Sequence, residues 1–147
     1  MSTISNLTPQ SLEAVRNLEA AMARAMTRRP KVGGFPYLAE TLRQAGITRN
    51  TWYLPSGESH YETRLGHVTS PPMPLAVAMD SVPAFDEAAL IRALRTDQAG
   101  ESTFPEFLLA SWYAGVVRYE VDFLERQVAY YGSQGESYLE AYPGVEL

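Results

Sequence analysis

Apolar residues fall at helical and strand spacings in alternating blocks along these 147 residues, and the blocks define the elements. Leu12, Val15, Leu18, Met22 and Met26 recur at steps of three and four, a stripe that predicts an amphipathic helix over about 8–27. Thr8-Pro9 stand as its N-cap and first-turn residue, where a missing N–H does no harm. The segment 27–34 (TRRPKVGG) interrupts the pattern as a loop. Phe35-Pro36 opens a second helix with Phe35, Leu38, Leu42 and Ala45 on one side, and Gly46 stands just past its end. The β-rich run Thr51-Trp52-Tyr53-Leu54 follows, then a Pro55-Ser56-Gly57 turn and a strand from Glu58 to Arg64.

Residues 65–85 hold four prolines between 71 and 83, which excludes a helix and a central strand for most of the segment. It reads as a packed connector, with Leu75 to Met79 as a short edge strand. Asp86 caps a third helix, 86–99, whose inward residues are Leu90, Ile91 and Leu94.

The densest stretch is 104–142. Thr103 and Glu106 have the spacing of a capping box, so a helix runs to Ala114 with Gly115 beyond it. Phe104, Phe107, Leu108, Leu109, Trp112 and Tyr113 cover almost its whole circumference, which predicts a central helix or one covered by a partner. Val117, Tyr119, Val121 and Phe123 alternate with Arg118, Glu120 and Asp122, a half-buried strand. A turn at Glu125-Arg126 sets Phe123 against Val128 and Val121 against Tyr130. Gly132 to Gly135 turns the chain again into a last strand, Glu136 to Tyr142.

A shorter version of this stretch occurs earlier. At an offset of 69, Phe35/Phe104, Pro36/Pro105, Ala45/Ala114, Gly46/Gly115 and Arg49/Arg118 are identical. At an offset of 78, Tyr53/Tyr131, Gly57/Gly135, Glu58/Glu136, Ser59/Ser137 and Glu62/Glu140 are identical. The expectation is one α+β domain over 1–147, built from a duplicated helix-plus-antiparallel-meander unit. It has about four helices and a five- to six-stranded antiparallel sheet. The unequal copies span about 35–64 and 104–142, and the first lacks nine residues of the second's hairpin arm. The Pro-rich connector (65–85) and the helix (86–99) join them.

The run AGVVRYEVDF…YYGSQGESYLEAYP, with FP…AG and YLPSGES upstream, resembles the bacterial YdfO-like proteins over about residues 20–143. These form a prophage-associated family of unknown function, some of whose members carry a phage envelope label. The resemblance implies a small α+β domain and supplies no catalytic residues.

Composition narrows the chemistry. Without cysteine the chain has no disulfides, thiolate zinc sites or cysteine nucleophile. The N-terminal ten residues lack the features of a secretory signal, and no apolar run approaches the roughly 20 residues that cross a bilayer. A cytoplasmic location and no membrane follow as expectations. The net charge of −5 is uneven, +3 over residues 1–69 and −8 over 70–147, which fits two attracting lobes or a homodimer. Arg24, Arg28, Arg29 and Lys31 cluster, but a sequence pI near 5.0 makes nucleic acid an unlikely partner.

Two constellations remain. In Glu58-x-His60-x-Glu62, strand periodicity sets two carboxylates and an imidazole on one face, suited to proton transfer, to a divalent ion, or only to a solvated sheet surface. The second copy reads Glu136-x-Tyr138-x-Glu140. Arg49 and Arg118, each three residues past a helix-ending glycine, are placed to pair with these carboxylates or to clamp an anion. No Ser/His/Asp ordering, phosphate-cradling loop or HExxH motif accompanies them. The expected function is non-enzymatic binding or protein interaction without cofactor or metal. The alternative is a small-ligand-binding protein or acid/base enzyme using the Glu58/His60/Glu62 face.

Overall fold

The computed structural model describes residues 9–72, 74, 75 and 81–147. Among them it has four helices and a six-stranded antiparallel sheet, the α+β architecture that the pattern predicts. The order is α1 (Pro9–Arg28), α2 (Phe35–Gln44), β1 (Ile47–Tyr53), β2 (Ser59–Thr63), β3 (Gly66–Ser70), α3 (Glu87–Gln98), α4 (Phe104–Tyr113), β4 (Val116–Asp122), β5 (Gln127–Gly132) and β6 (Ser137–Ala141). Thr8, the expected cap of α1, and residues 76–79 of the expected edge strand lie outside the described residues.

Helix ends form where the local chemistry dictates. Asp86 Oδ1 accepts from Ala89 N at 3.0 Å to start α3. Thr103 and Glu106 close a reciprocal capping box on α4, with bonds of 2.8 and 3.3 Å. Gly46 and Gly115 end α2 and α4 at φ of 92° and 90°, a conformation that L side chains resist. α1 presents a different seam from the expected one: Ala14, Leu18, Ala21 and Ala25 are buried, whereas Met26 is 58% exposed. Small residues let the helix lie close to its neighbours, and the larger side chains flank the contact.

The strand order is β3-β2-β1-β4-β5-β6, so two three-stranded meanders meet at the β1–β4 pair. The inward face carries Tyr61, Val68, Tyr119, Val121, Val128 and Tyr130, which form one core with Leu42, Leu90, Leu108 and Trp112 from the helices. Among the described residues, this face of the sheet packs on the helices and the other does not.

Register shows how the halves correspond. Arg49 faces Glu62 as Arg118 faces Tyr131, and Thr51 faces His60 as Glu120 faces Ala129. Both ladders are irregular at matching places, between Ile47 and Arg49 and between Val116 and Arg118. The correspondence at 69 residues therefore continues unbroken from the helices through the first two strands of each meander. The matches at 78 instead pair β2 with β6, strands in different sheet positions, because both follow a Gly-Glu-Ser turn. The nine residues thought missing from the first half, counterparts of 119–127, are present at the same offset as residues 50–58, the end of β1 and the turn after it. Separately, residues 66–70, expected in the connector, form β3. The observed β4–β5 register also differs by two residues from the expected one, with Val121 opposite Val128 and Tyr119 opposite Tyr130. Asp122 Oδ1 accepts from Leu124 N and Glu125 N at 3.1 and 3.0 Å, which starts the turn before Phe123. An even shift keeps every side chain on its predicted face.

Candidate functional site

The face without helices is built by alternation. Beyond the irregularities, from Arg49 in β1 and Arg118 in β4, odd positions of β1 and even positions of β4 point outward, and antiparallel pairing lines them up in rows across the sheet. One row runs His67, Glu62, Arg49, Asp122 and Gln127; the next runs Thr69, His60, Thr51, Glu120, Ala129 and Leu139. A third row sets Tyr53, Arg118, Tyr131 and Ser137 side by side.

Arg49 sits at the middle of this surface. Its guanidinium lies 3.2 Å from Glu62, 3.5 Å from Glu120 and 3.9 Å from Asp122, carboxylates drawn from β2 and β4, the two strands that flank β1. The expected partner Glu62 is confirmed by position; Glu58 is not a partner. Arg118 pairs with Glu120 at 3.2 Å and stacks 3.9 Å above the Tyr131 ring. It does not reach Glu136 or Glu140, because those residues belong to the turn before β6 and to the outermost strand. These pairs are solvent-exposed enough that each contributes little to stability. Beside Arg49 an open hollow of about 580 Å³ is lined by Thr48, Arg49, Glu62, Asp122, Leu124 and Glu125.

The Glu58-x-His60-x-Glu62 trio divides. Glu58 precedes β2 and its carboxylate approaches His60 Nε2 at 2.7 Å, while Glu62 turns to Arg49. The imidazole is packed edge-on against Tyr53 and His67, each with ring centroids 5.6 Å away. His60 Nδ1 is 3.5 Å from Thr69 Oγ1. Side-chain exposures of 47% for Glu58 and 52% for Glu62 leave both carboxylates in water.

Glu136, Tyr138 and Glu140 do not reproduce this group. Glu136 folds onto its own turn, accepting from Gln134 N at 2.8 Å. Tyr138 lies opposite Tyr130 and Glu140 opposite Val128, so both point to the helix side of the sheet. There Glu140 accepts from Arg95 at 2.7 Å, from Gln98 at 3.0 Å and from the Tyr138 hydroxyl at 3.1 Å. Burial, with the Glu140 carboxylate second, raises the Tyr138 pKa, and the bond to Glu140 raises that of Arg95. The repeated E-x-(H/Y)-x-E spacing thus marks opposite faces of one sheet.

The residues that sequence reading did not gather at the site were His67, Thr69, Glu120 and Asp122, whereas Tyr53 and Tyr131 are tyrosines expected to make the sheet aromatic. Alternation in β4 had placed Arg118, Glu120 and Asp122 together, but only the β1–β4 pairing brings them to Arg49. No group of three or more metal-ligating side chains is poised for an ion among the described residues. No helix is long and apolar enough to cross a membrane among those residues.

Comparison with known proteins gives kinship without activity. Residues 23–141 match the family described as a protein of unknown function, DUF1398. An uncharacterized protein of Mycobacterium bovis and one of Mycobacterium tuberculosis are each 50% identical over 132 residues, covering 90% of this chain and 80% of theirs.

Proposed function

This chain belongs to the DUF1398 family, whose function is unknown, and we propose that it is a non-enzymatic module that docks a protein partner on the open face of its sheet. The observation that carries the reading is the uncovered face itself. It presents Tyr53, Tyr131, His60 and His67 among two arginines and three carboxylates, on a six-stranded support. Aromatic rings and arginine are the side chains that contribute most at protein interfaces. Glu62, Glu120 and Asp122 outnumber Arg49 and Arg118, so a partner with basic side chains complements the face. The resemblance to the prophage-associated YdfO-like proteins gives this proposal a bacterial or prophage setting. The matching registers support a further part of it: the two halves are copies of one unit, each a pair of helices followed by a three-stranded meander.

Site-specific photo-crosslinking in the native host tests the proposal. A photoreactive phenylalanine at Tyr53 or Tyr131 is expected to trap one defined protein, and Arg49→Glu to abolish the adduct. Trapping from Arg92 on α3 but from neither tyrosine would refute it. The acid/base reading rests on the 2.7 Å Glu58–His60 contact. It has less support, because general acid/base groups act best where enclosure tunes them, and this pair opens to solvent. A turnover abolished by Glu58→Gln would reverse that preference.

A further inference from the structure

β6 is one of the two edges of the sheet, and the hydrogen bonds beside it decide which of its backbone groups are free. Gly132 N donates to Glu136 O at 2.9 Å, and Tyr142 N donates to Arg126 O at 3.0 Å. Even-numbered residues here therefore turn their amide and carbonyl toward β5. Orientation alternates along an antiparallel strand, so Ser137, Leu139 and Ala141 turn theirs outward. Among the described residues, no backbone partner meets those outward groups, and the Leu139 side chain is 59% exposed.

The other edge is managed differently. β3 opens on Gly66, ends directly before Pro71-Pro72, and has α1 against it, with Ala14 Cβ 3.7 Å from where a Gly66 Cβ would lie. Proline, short length and covering elements are devices that stop edge pairing. β6 has no proline, no lysine and no irregularity in its ladder.

We infer that β6 is a homodimer edge, on which a second copy of this chain pairs its own β6 antiparallel about Leu139. The sequence Ser-Tyr-Leu-Glu-Ala is complementary to its own reverse. Leu139 meets the partner's Leu139, Ser137 meets the partner's Ala141, and Tyr138 meets the partner's Glu140. Outward-facing groups at 137, 139 and 141 form the hydrogen-bonded pairs, about six bonds in all. Tyr138 and the partner's Glu140 occupy the closer, non-hydrogen-bonded position, where a hydroxyl donor faces a carboxylate on both sides of the axis. No like charges lie opposite each other. The contact is isologous, so it closes as a dimer with one continuous sheet and does not propagate. It depends on the edge and not on the open-face reading, so the two stand or fall separately.

Sedimentation equilibrium of the full chain tests it, from about 1 to 300 µM, because a small interface binds weakly. The wild type is expected to be a reversible dimer. Leu139→Pro removes an outward N–H and none of the bonds to β5, so it should keep the far-UV circular dichroism and weaken dimerisation at least about tenfold. Leu139→Lys, which sets two cations on the axis, should do the same if the proline variant misfolds. Amide exchange offers an independent reading: Leu139 and Ala141 are expected to be protected at high concentration and to exchange freely when dilute. A strictly monomeric wild type, or a dimer that both substitutions leave unchanged, overturns the inference.

Discussion

Glu40 and Leu109 occupy the same place in α2 and α4, six residues into each helix, and meet opposite surroundings. Glu40 is 7% exposed and accepts from Arg43 Nε at 2.8 Å and Gln44 at 3.0 Å, whereas Leu109 is 36% exposed. Arg43 itself corresponds to Trp112, which is 2% exposed. The phenylalanines that begin the helices diverge too: Phe35 meets Tyr142 edge-on at 5.1 Å, and Phe104 meets Trp52 at 5.0 Å. On the open face, Arg49 has Glu62 across from it where Arg118 has Tyr131. At these helix positions one backbone frame thus carries an ion-paired cluster in α2 and aromatic or apolar side chains in α4. The difference teaches that glycine ends, registers and bulges set the frame, while the side chains laid on it are free to diverge.

Substitutions at corresponding positions test how far that division runs. The largest expected effect is at the 43/112 position. Trp112→Ala should lower unfolding free energy by about 3–5 kcal/mol and Arg43→Ala by about 1–2 kcal/mol, read from urea denaturation. Equal losses would break the contrast. Next come the helix-ending glycines. A Cβ on Gly115 would lie 2.5 Å from backbone atoms of Ala84 and Phe85, but on Gly46 it meets only the Arg64 side chain at 2.9 Å. Gly115→Ala should therefore cost about 3 kcal/mol or more, and Gly46→Ala about 1–2 kcal/mol from the positive φ alone.

A smaller effect separates the halves by pH. Hydrogen bonding to Arg43, opposed by burial, holds the Glu40 carboxyl down to about 2 from 4.5. A depressed folded-state pKa contributes stability that is complete above the unfolded value and is lost as pH falls toward 2. The wild type should exceed Glu40→Gln by about 2–3 kcal/mol at pH 7, with the gap closing between about pH 4.5 and 2. Leu109, at the corresponding place in α4, has no ionisable group. A gap constant over that window would show that Arg43 is not the cause. Smallest of all, Arg49→Ala and Arg118→Ala should each change stability by less than about 1 kcal/mol, since both guanidinia are exposed. A larger loss at either would mark the open face as structural and weaken its reading as a docking surface.

Much of this molecule was legible in the chain. The Thr103/Glu106 box, the Asp86 cap and the paired glycines 46 and 115 announced their helix ends, since capping depends on residues within one turn. Alternation in β4 assigned Arg118, Glu120 and Asp122 to one face, because strand period is a property of the backbone. The candidate site was only half legible. Glu62 and Arg49 were matched correctly, but Tyr138 and Glu140 were grouped with His60 and Glu62 although they face the opposite side. Local likeness between the turns at 57–59 and 135–137 concealed that the strands after them hold different places in the sheet. The short β3 was lost in its proline-rich flank, since its five residues carry little pattern of their own.

By itself, then, the sequence determined what hydrogen bonds and steric limits decide within a few residues: the elements, their ends and the two-sidedness of each strand. Strand order, which side of the sheet the helices cover and the meeting of Arg49 with Glu120 and Asp122 were decided only by tertiary structure. Those outcomes depend on burying one continuous core between residues far apart in the chain, and long-range packing leaves no trace in local spacing.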